Sequence, residues 1–475
     1  MLRPGASFFL VKEAGSTRGA PSAGLQLIRG YQRLASSHGG RCLAALFLLT
    51  LASNYSEAPI GGLVFGLLVL MAWVSDRVAL MALFSATFLP YAWPFTLTVG
   101  FPLVFFVAAP LLLDLKRVAE LPRVLVVGCF LLGGLILAGF AFTKSPDLLL
   151  LASGVVAMLA AAVFVRRSSL LPLTILYDFA LVLVSVVVVP LIFNAFMLEG
   201  SPFRSERLLS QLFVGRVTVG VAEPNVIAAF LAVSSVIALL SARTHERQSL
   251  GVLLHGALAI LFLYASSLVG SRIALVVAGA AILATGMASL GLAGTRGAIH
   301  WGSVRAAFLG IVFGFAGLAT VTTAVTGAPP AAVSRLVSTT SFEDTGRPLS
   351  FRYALPLLDE VPLVGVNQEE YHLQVSPLSP HLSVVAAALY MGVLVTIATY
   401  VLLLIPALDI VIGRRLAPDP LLGIAVLLLL IATLAIPLTS DRSLLCVVGA
   451  WYGHSWLQRF REAAPPAVRA PSLSA

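Results

Sequence analysis

Apolar runs separated by short polar breaks recur along almost the whole chain, most of them long enough to cross roughly 30 Å of hydrocarbon as an α-helix. They fall near residues 42–57, 58–75, 78–95, 97–113, 122–142, 148–165, 169–198, 219–241, 249–269, 273–292, 306–327, 381–405, 420–438 and 443–457. No ten-residue alternation appears, and backbone groups in lipid must pair within a helix or around a closed barrel. The predicted fold is therefore all-α: a polytopic transmembrane helical bundle of about 12–14 spans. One long segment, residues 328–380, breaks the pattern with Arg, His and Tyr, and reads as a large loop containing short helices.

Basic residues orient the spans. Arg77 falls in the first interior loop, followed by Lys116 with Arg117, Arg166 with Arg167, Arg243 with Arg247, Arg296 with Arg305 and Arg414 with Arg415. Arg459 and Arg461 follow the last span. Both termini are then cytoplasmic and the 328–380 loop is exported. The chain divides into a basic cytoplasmic tail (1–41), amino-terminal spans (42–198), a transmembrane core (199–457) and a second cytoplasmic tail (458–475).

Composition agrees with this frame. Charged residues make up 11% of the chain, against roughly 25% in soluble domains. A net charge of +9 would suggest nucleic acid in a soluble protein, but basic loops beside anionic headgroups account for it here. Cys42, Cys129 and Cys446 all lie within apolar runs, which argues against a disulfide framework or a cysteine-ligated metal. The first 41 residues are too polar for a cleaved signal peptide.

The basic residues left on the exported side are Lys144, Arg204, Arg207, Arg216, Arg272, Arg335, Arg347, Arg352 and Arg442. The positive-inside bias works against arginine there, so the set suggests an anionic ligand. Any one of them could instead snorkel to headgroups or pair with Glu206, Glu343 or Asp344. Three helices predicted to run from outside to inside also begin on that face, at Pro224-Asn225, Ser271-Arg272 and Ser379-Pro380-His381. Helix amino termini beside guanidinium groups suit a phosphate or diphosphate. Each start alone reads equally as an ordinary capped or kinked span. His381 is the general-base candidate because its ordinary pKa lies near neutrality. His372 sits in a freer part of the loop. Tyr353 and Tyr371 read as interfacial aromatics.

Taken in order, these pieces resemble the O-antigen ligase and O-antigen polymerase superfamily of membrane glycan-transferring proteins. The matching elements are Arg216-x-x-x-Gly220 with Pro224-Asn225 and Ala228, then Ser271-Arg272, then the exported loop. In that loop Gly346-Arg347-x-x-x-Phe351-Arg352 precedes Asp359 to Val366 and Pro380-His381, and Tyr390-Met391-Gly392 follows. The resemblance covers residues 200–405. Departures from the family pattern include Glu223, Phe351, Asn367 and Leu382.

The resemblance implies a glycan carried on undecaprenyl diphosphate at the outer face of a bacterial inner membrane, transferred to a second lipid-linked unit or to a lipid acceptor such as lipid A core. It maps functional arginines onto Arg272 and Arg347, with Arg216 a third, and the functional histidine onto His381. Asn225, Arg352 and Arg442 join Arg216 as expected substrate-binding residues, and a chain-length regulator or flippase is an expected partner. No metal or other cofactor is expected, since there is no Asp-x-Asp pair and no His/carboxylate cluster with ligand spacing. Polymerase is the preferred reading and ligase the alternative. A lipid-linked oligosaccharide flippase would use a charge buried within a span, for which Asp178 is the clearest candidate. A metal-dependent transferase would need an acidic group in the first exported loop, where Glu57 stands alone.

Overall fold

In a computed structural model the described residues are 76–88, 118–168, 172–197, 224–244, 249–271, 301–338, 347–360, 383–412 and 442–463, with isolated positions between them. Most of them are helical, and no strand occurs among them. The helices are α1 (Asp76–Phe88), α2 (Arg123–Thr143), α3 (Pro146–Ser168), α4 (Pro172–Leu183), α5 (Val189–Met197), α6 (Pro224–Thr244) and α7 (Ser249–Leu268). They continue with α8 (Trp301–Thr326), α9 (Ala331–Ser338), α10 (Arg347–Glu360), α11 (Ser383–Met391), α12 (Val393–Ile412) and α13 (Arg442–Ala463). Three stretches, Arg123–Thr143, Asp147–Ser168 and Thr174–Phe196, are long and apolar enough to cross a membrane. Asn225–Leu239, Leu253–Leu268, Phe313–Thr326 and Val393–Pro406 are shorter apolar helices. The tail 1–41 and the first two predicted spans lie outside the described residues.

Local chemistry sets the ends of these helices. Pro146 opens α3, Asp147 lies in its first turn and Arg166 and Arg167 in its last, matching the helix dipole at both ends. Lys144 closes α2 in the left-handed region at φ 51°, its N–H donating to the Phe140 carbonyl at 2.9 Å. Gly270 (φ 76°) and Gly327 (φ 73°) follow the ends of α7 and α8, where a side chain would be strained.

Two predicted spans are not regular helices. The seventh, read as one run over 169–198, is α4 and α5 joined by a π-helical turn at Val184–Val188. Pro190 has no N–H to donate to the Val186 carbonyl, and just before it the Val189 N–H bonds Val184, five residues back. The twelfth, read as continuous over 381–405, breaks at Gly392 (φ 88°) into α11 and α12.

Packing fixes relative directions. Gly154, Gly449 and Gly453 meet Leu445, Met158 and Ala162 in turn, so α3 and α13 run parallel. A Cβ on Gly449 or Gly453 would strike α3 backbone, and this small-x-x-x-small spacing lets the two helices approach closely. Ser266 Oγ donates to the Ala228 carbonyl at 3.1 Å and Ser235 Oγ to Ala259 at 2.8 Å, so α6 and α7 are antiparallel. Gly314 lies on Ile260, and the Tyr264 and Thr322 hydroxyls share a hydrogen bond, so α7 and α8 run parallel. These are the relative directions that the basic loops predict. From Arg442 to Gly453 α13 is buried without interruption, marking it as an interior helix. In contrast, α2 turns Val124, Val127, Phe130, Leu131, Leu137 and Phe142 outward, an apolar face suited to hydrocarbon.

Candidate functional site

Charges gather at one end of the bundle. Arg77, on α1, donates from Nε to Asp178 Oδ2 at 2.7 Å and from Nη2 to Oδ1 at 3.1 Å. The Asp178 side chain is fully buried and that of Arg77 is 19% exposed. Arg167 pairs with Asp76 at 3.2 Å, and Arg166 approaches Glu120 at 3.8 Å. This is the end that the sequence assigns to the cytoplasm. The carboxylate on which a flippase reading rests is therefore held in a two-pronged pair, which compensates its charge within the protein.

At the opposite end the sequence-predicted residues occupy three neighbourhoods. The first is the corner between α6 and α7. Because Ala228 meets Ser266 in an antiparallel pair, Pro224 and Asn225 at the start of α6 stand level with Gly270 and Ser271 beyond the end of α7. Asn225 is half-buried. Ser271, expected to open the next span, follows the α7 terminus at 2% exposure, and its hydroxyl has no hydrogen-bond partner among the described residues. The arginine next to it, Arg272, lies outside the described residues, as do Arg216, His381, His372 and Tyr371.

The second neighbourhood is α10 and the break in the twelfth span. Arg347 is the first residue of α10. Further along, Arg352 and Tyr353 are exposed while Ala354, Leu357 and Leu358 turn to the core. The chain then returns to α11, where the Val366 N–H donates to the Leu389 carbonyl at 2.6 Å. Gly365 has φ 75°, and a Cβ there would lie 2.6 Å from the Gly392 nitrogen, 2.8 Å from the Leu389 oxygen and 2.9 Å from the Tyr390 carbonyl carbon. Two sequence elements 25 residues apart, Gly365-Val366 and Tyr390-Met391-Gly392, are thereby in backbone contact.

Arg442 marks the third neighbourhood. It opens α13 at 3% exposure, with its backbone against Gly154. Gly154 lies eight residues into α3, so Arg442 sits roughly 12 Å below the α2–α3 turn. Beside it, Ser443 Oγ donates to the Thr87 carbonyl at 3.4 Å, tying the α13 start to the α1 end.

One polar pair carried no sequence signal. Tyr177 Oη and His255 Nε2 are 2.7 Å apart, joining α4 to α7 at the edge of an apolar cavity walled by Phe84, Phe179, Phe230 and Leu258. A lone tyrosine and a lone histidine 78 residues apart can be paired only once the helices are packed. Among the described residues no three His, Cys, Asp or Glu side chains cluster closely enough to hold a metal. The sequence matches no protein-family model and no curated protein.

Proposed function

We propose that the chain is a multi-pass glycan polymerase of a bacterial inner membrane, transferring an undecaprenyl-diphosphate-linked oligosaccharide to an acceptor sugar hydroxyl at the exported face. The observation that carries the reading is the α6–α7 corner, where a Pro-Asn helix start and Ser271 stand together although 46 residues separate Asn225 from Ser271. Arg272, Arg347 and Arg216 then hold the diphosphate, with Asn225, Arg352 and Arg442 completing the donor site. Their charge stabilises the diphosphate as it leaves, an electrostatic contribution at the developing negative charge. His381 takes the proton of the attacking hydroxyl; the new glycosidic C–O bond forms as the sugar–phosphate bond breaks.

The test is transfer by purified protein in nanodiscs, supplied with lipid-linked oligosaccharide and no ion gradient. A ladder of lengthening glycan on the carrier is expected, unaffected by EDTA. Arg272→Ala and Arg347→Ala should each lower turnover by about 10²–10³-fold at normal protein levels. Undiminished transfer from both variants would overturn the site. Product found only on an added lipid A core would replace polymerase with ligase, and translocation without transfer would make the protein a flippase.

A further inference from the structure

The backbone contact at Gly365 serves no purpose in a simple connecting loop. A glycine with positive φ is packed against three backbone atoms of another helix, and the next residue donates a hydrogen bond into that helix. The acceptor, Leu389, lies in the last turn of α11, immediately before the left-handed Gly392. The Gly392 break thus ends the α11 spiral at the point where an outside N–H can reach a terminal carbonyl. On one side of the contact lies α10 with Arg347 and Arg352; on the other, α11, which begins two residues after His381.

We propose that Gly365, Val366 and Gly392 form a clasp that fixes α10 against the broken twelfth span, and that Gly365 and Gly392 are positioning residues for the arginines of α10. The inference about turnover rests on the glycan-transfer reading above; the clasp itself does not. Among the described residues, what else holds α10 is the modest apolar patch of Ala354, Leu357 and Leu358. The contact admits no side chain at residue 365, because the neighbours are backbone atoms that cannot rotate away. It also ties the segment that the sequence reads as exported to the helix that follows it.

A cysteine-reactivity experiment separates the clasp from the chemistry. In a full-length chain lacking Cys42, Cys129 and Cys446, cysteine is placed at Ala354, which is fully buried, or at Tyr353, which is 46% exposed. A soluble maleimide should modify position 353 quickly and position 354 slowly. Adding Gly365→Ala should raise the rate at 354 by about tenfold or more while leaving 353 unchanged, because local opening is what exposes a buried thiol. Val366→Pro, which removes the donated hydrogen bond without bulk at residue 365, should act in the same direction and serves if Gly365→Ala does not accumulate. Unaltered protection at 354 in whichever of the two folds would overturn the clasp. Turnover per folded molecule is the second readout. Displaced arginines should cost about 10²-fold, whereas a merely structural lesion would reduce the folded fraction and leave turnover per folded molecule unchanged. If position 354 opens but the unsubstituted protein transfers no glycan, the clasp stands and the transfer reading falls.

Discussion

Asp178 and Arg77 show how a single pair can decide between readings. The sequence makes Asp178 legible as a carboxylate inside an apolar run, yet gives no sign of its partner, which lies 101 residues earlier in what reads as an interhelical loop. Packing of α1 on α4 brings them together. Removing one member of such a pair leaves a charge in a medium that solvates it poorly, a penalty of about 3–5 kcal/mol, while removing both is far milder. Arg77→Ala should therefore lower the melting temperature of detergent-solubilised protein markedly, and Arg77→Ala combined with Asp178→Ala should recover much of the loss. Equal losses from the single and double variants would show that the pair is not coupled. Asp178→Asn alone should be milder than Arg77→Ala, because the guanidinium it leaves is 19% exposed and keeps an amide oxygen to donate to, whereas Arg77→Ala strands a fully buried carboxylate.

Helices differ in how openly the sequence announces them. Those over 123–143 and 146–168 follow from unbroken apolar runs closed by Lys144-Ser145-Pro146 and by Arg166-Arg167. The π turn before Pro190 and the break at Gly392 do not, because an apolar run hides where its hydrogen-bond ladder changes step. At the candidate site the start of α6 was legible from Pro224, and α10 only as one of the short helices expected within 328–380; the clasp was not legible, since nothing local distinguishes a glycine that touches another backbone from one that faces open space. Glycines in the helices make that contrast measurable. Gly449→Ala drives a methyl into the α3 backbone and should destabilise by about 1–3 kcal/mol, whereas Gly134, with nothing within 4 Å of a Cβ, should accept alanine without loss. Thermal unfolding of the two variants side by side is the check; equal stability would mean that α3 and α13 are not in close contact.

For the whole molecule the sequence supplies sidedness and the packing supplies neighbours. If Glu120 lies at the cytoplasmic end and Leu363 on the exported side, a membrane-impermeant thiol reagent applied to intact spheroplasts should modify Leu363→Cys at once and Glu120→Cys only after permeabilisation. Labelling of both from outside would overturn the assigned topology. The parallel pairing of α3 with α13 has a consequence for biosynthesis. Parallel neighbours cannot be joined by a hairpin, and here roughly 290 residues separate Gly154 from Leu445; at about 5–20 residues per second these take roughly 15–60 s to make. During that interval the glycine and alanine face of α3 has no native partner, and the half-built protein is exposed to wrong pairings or to quality-control proteases. Among the described helices α13 is made latest, so a chain stopped short of it leaves that face of α3 uncovered, a product that the cell can recognise as unfinished.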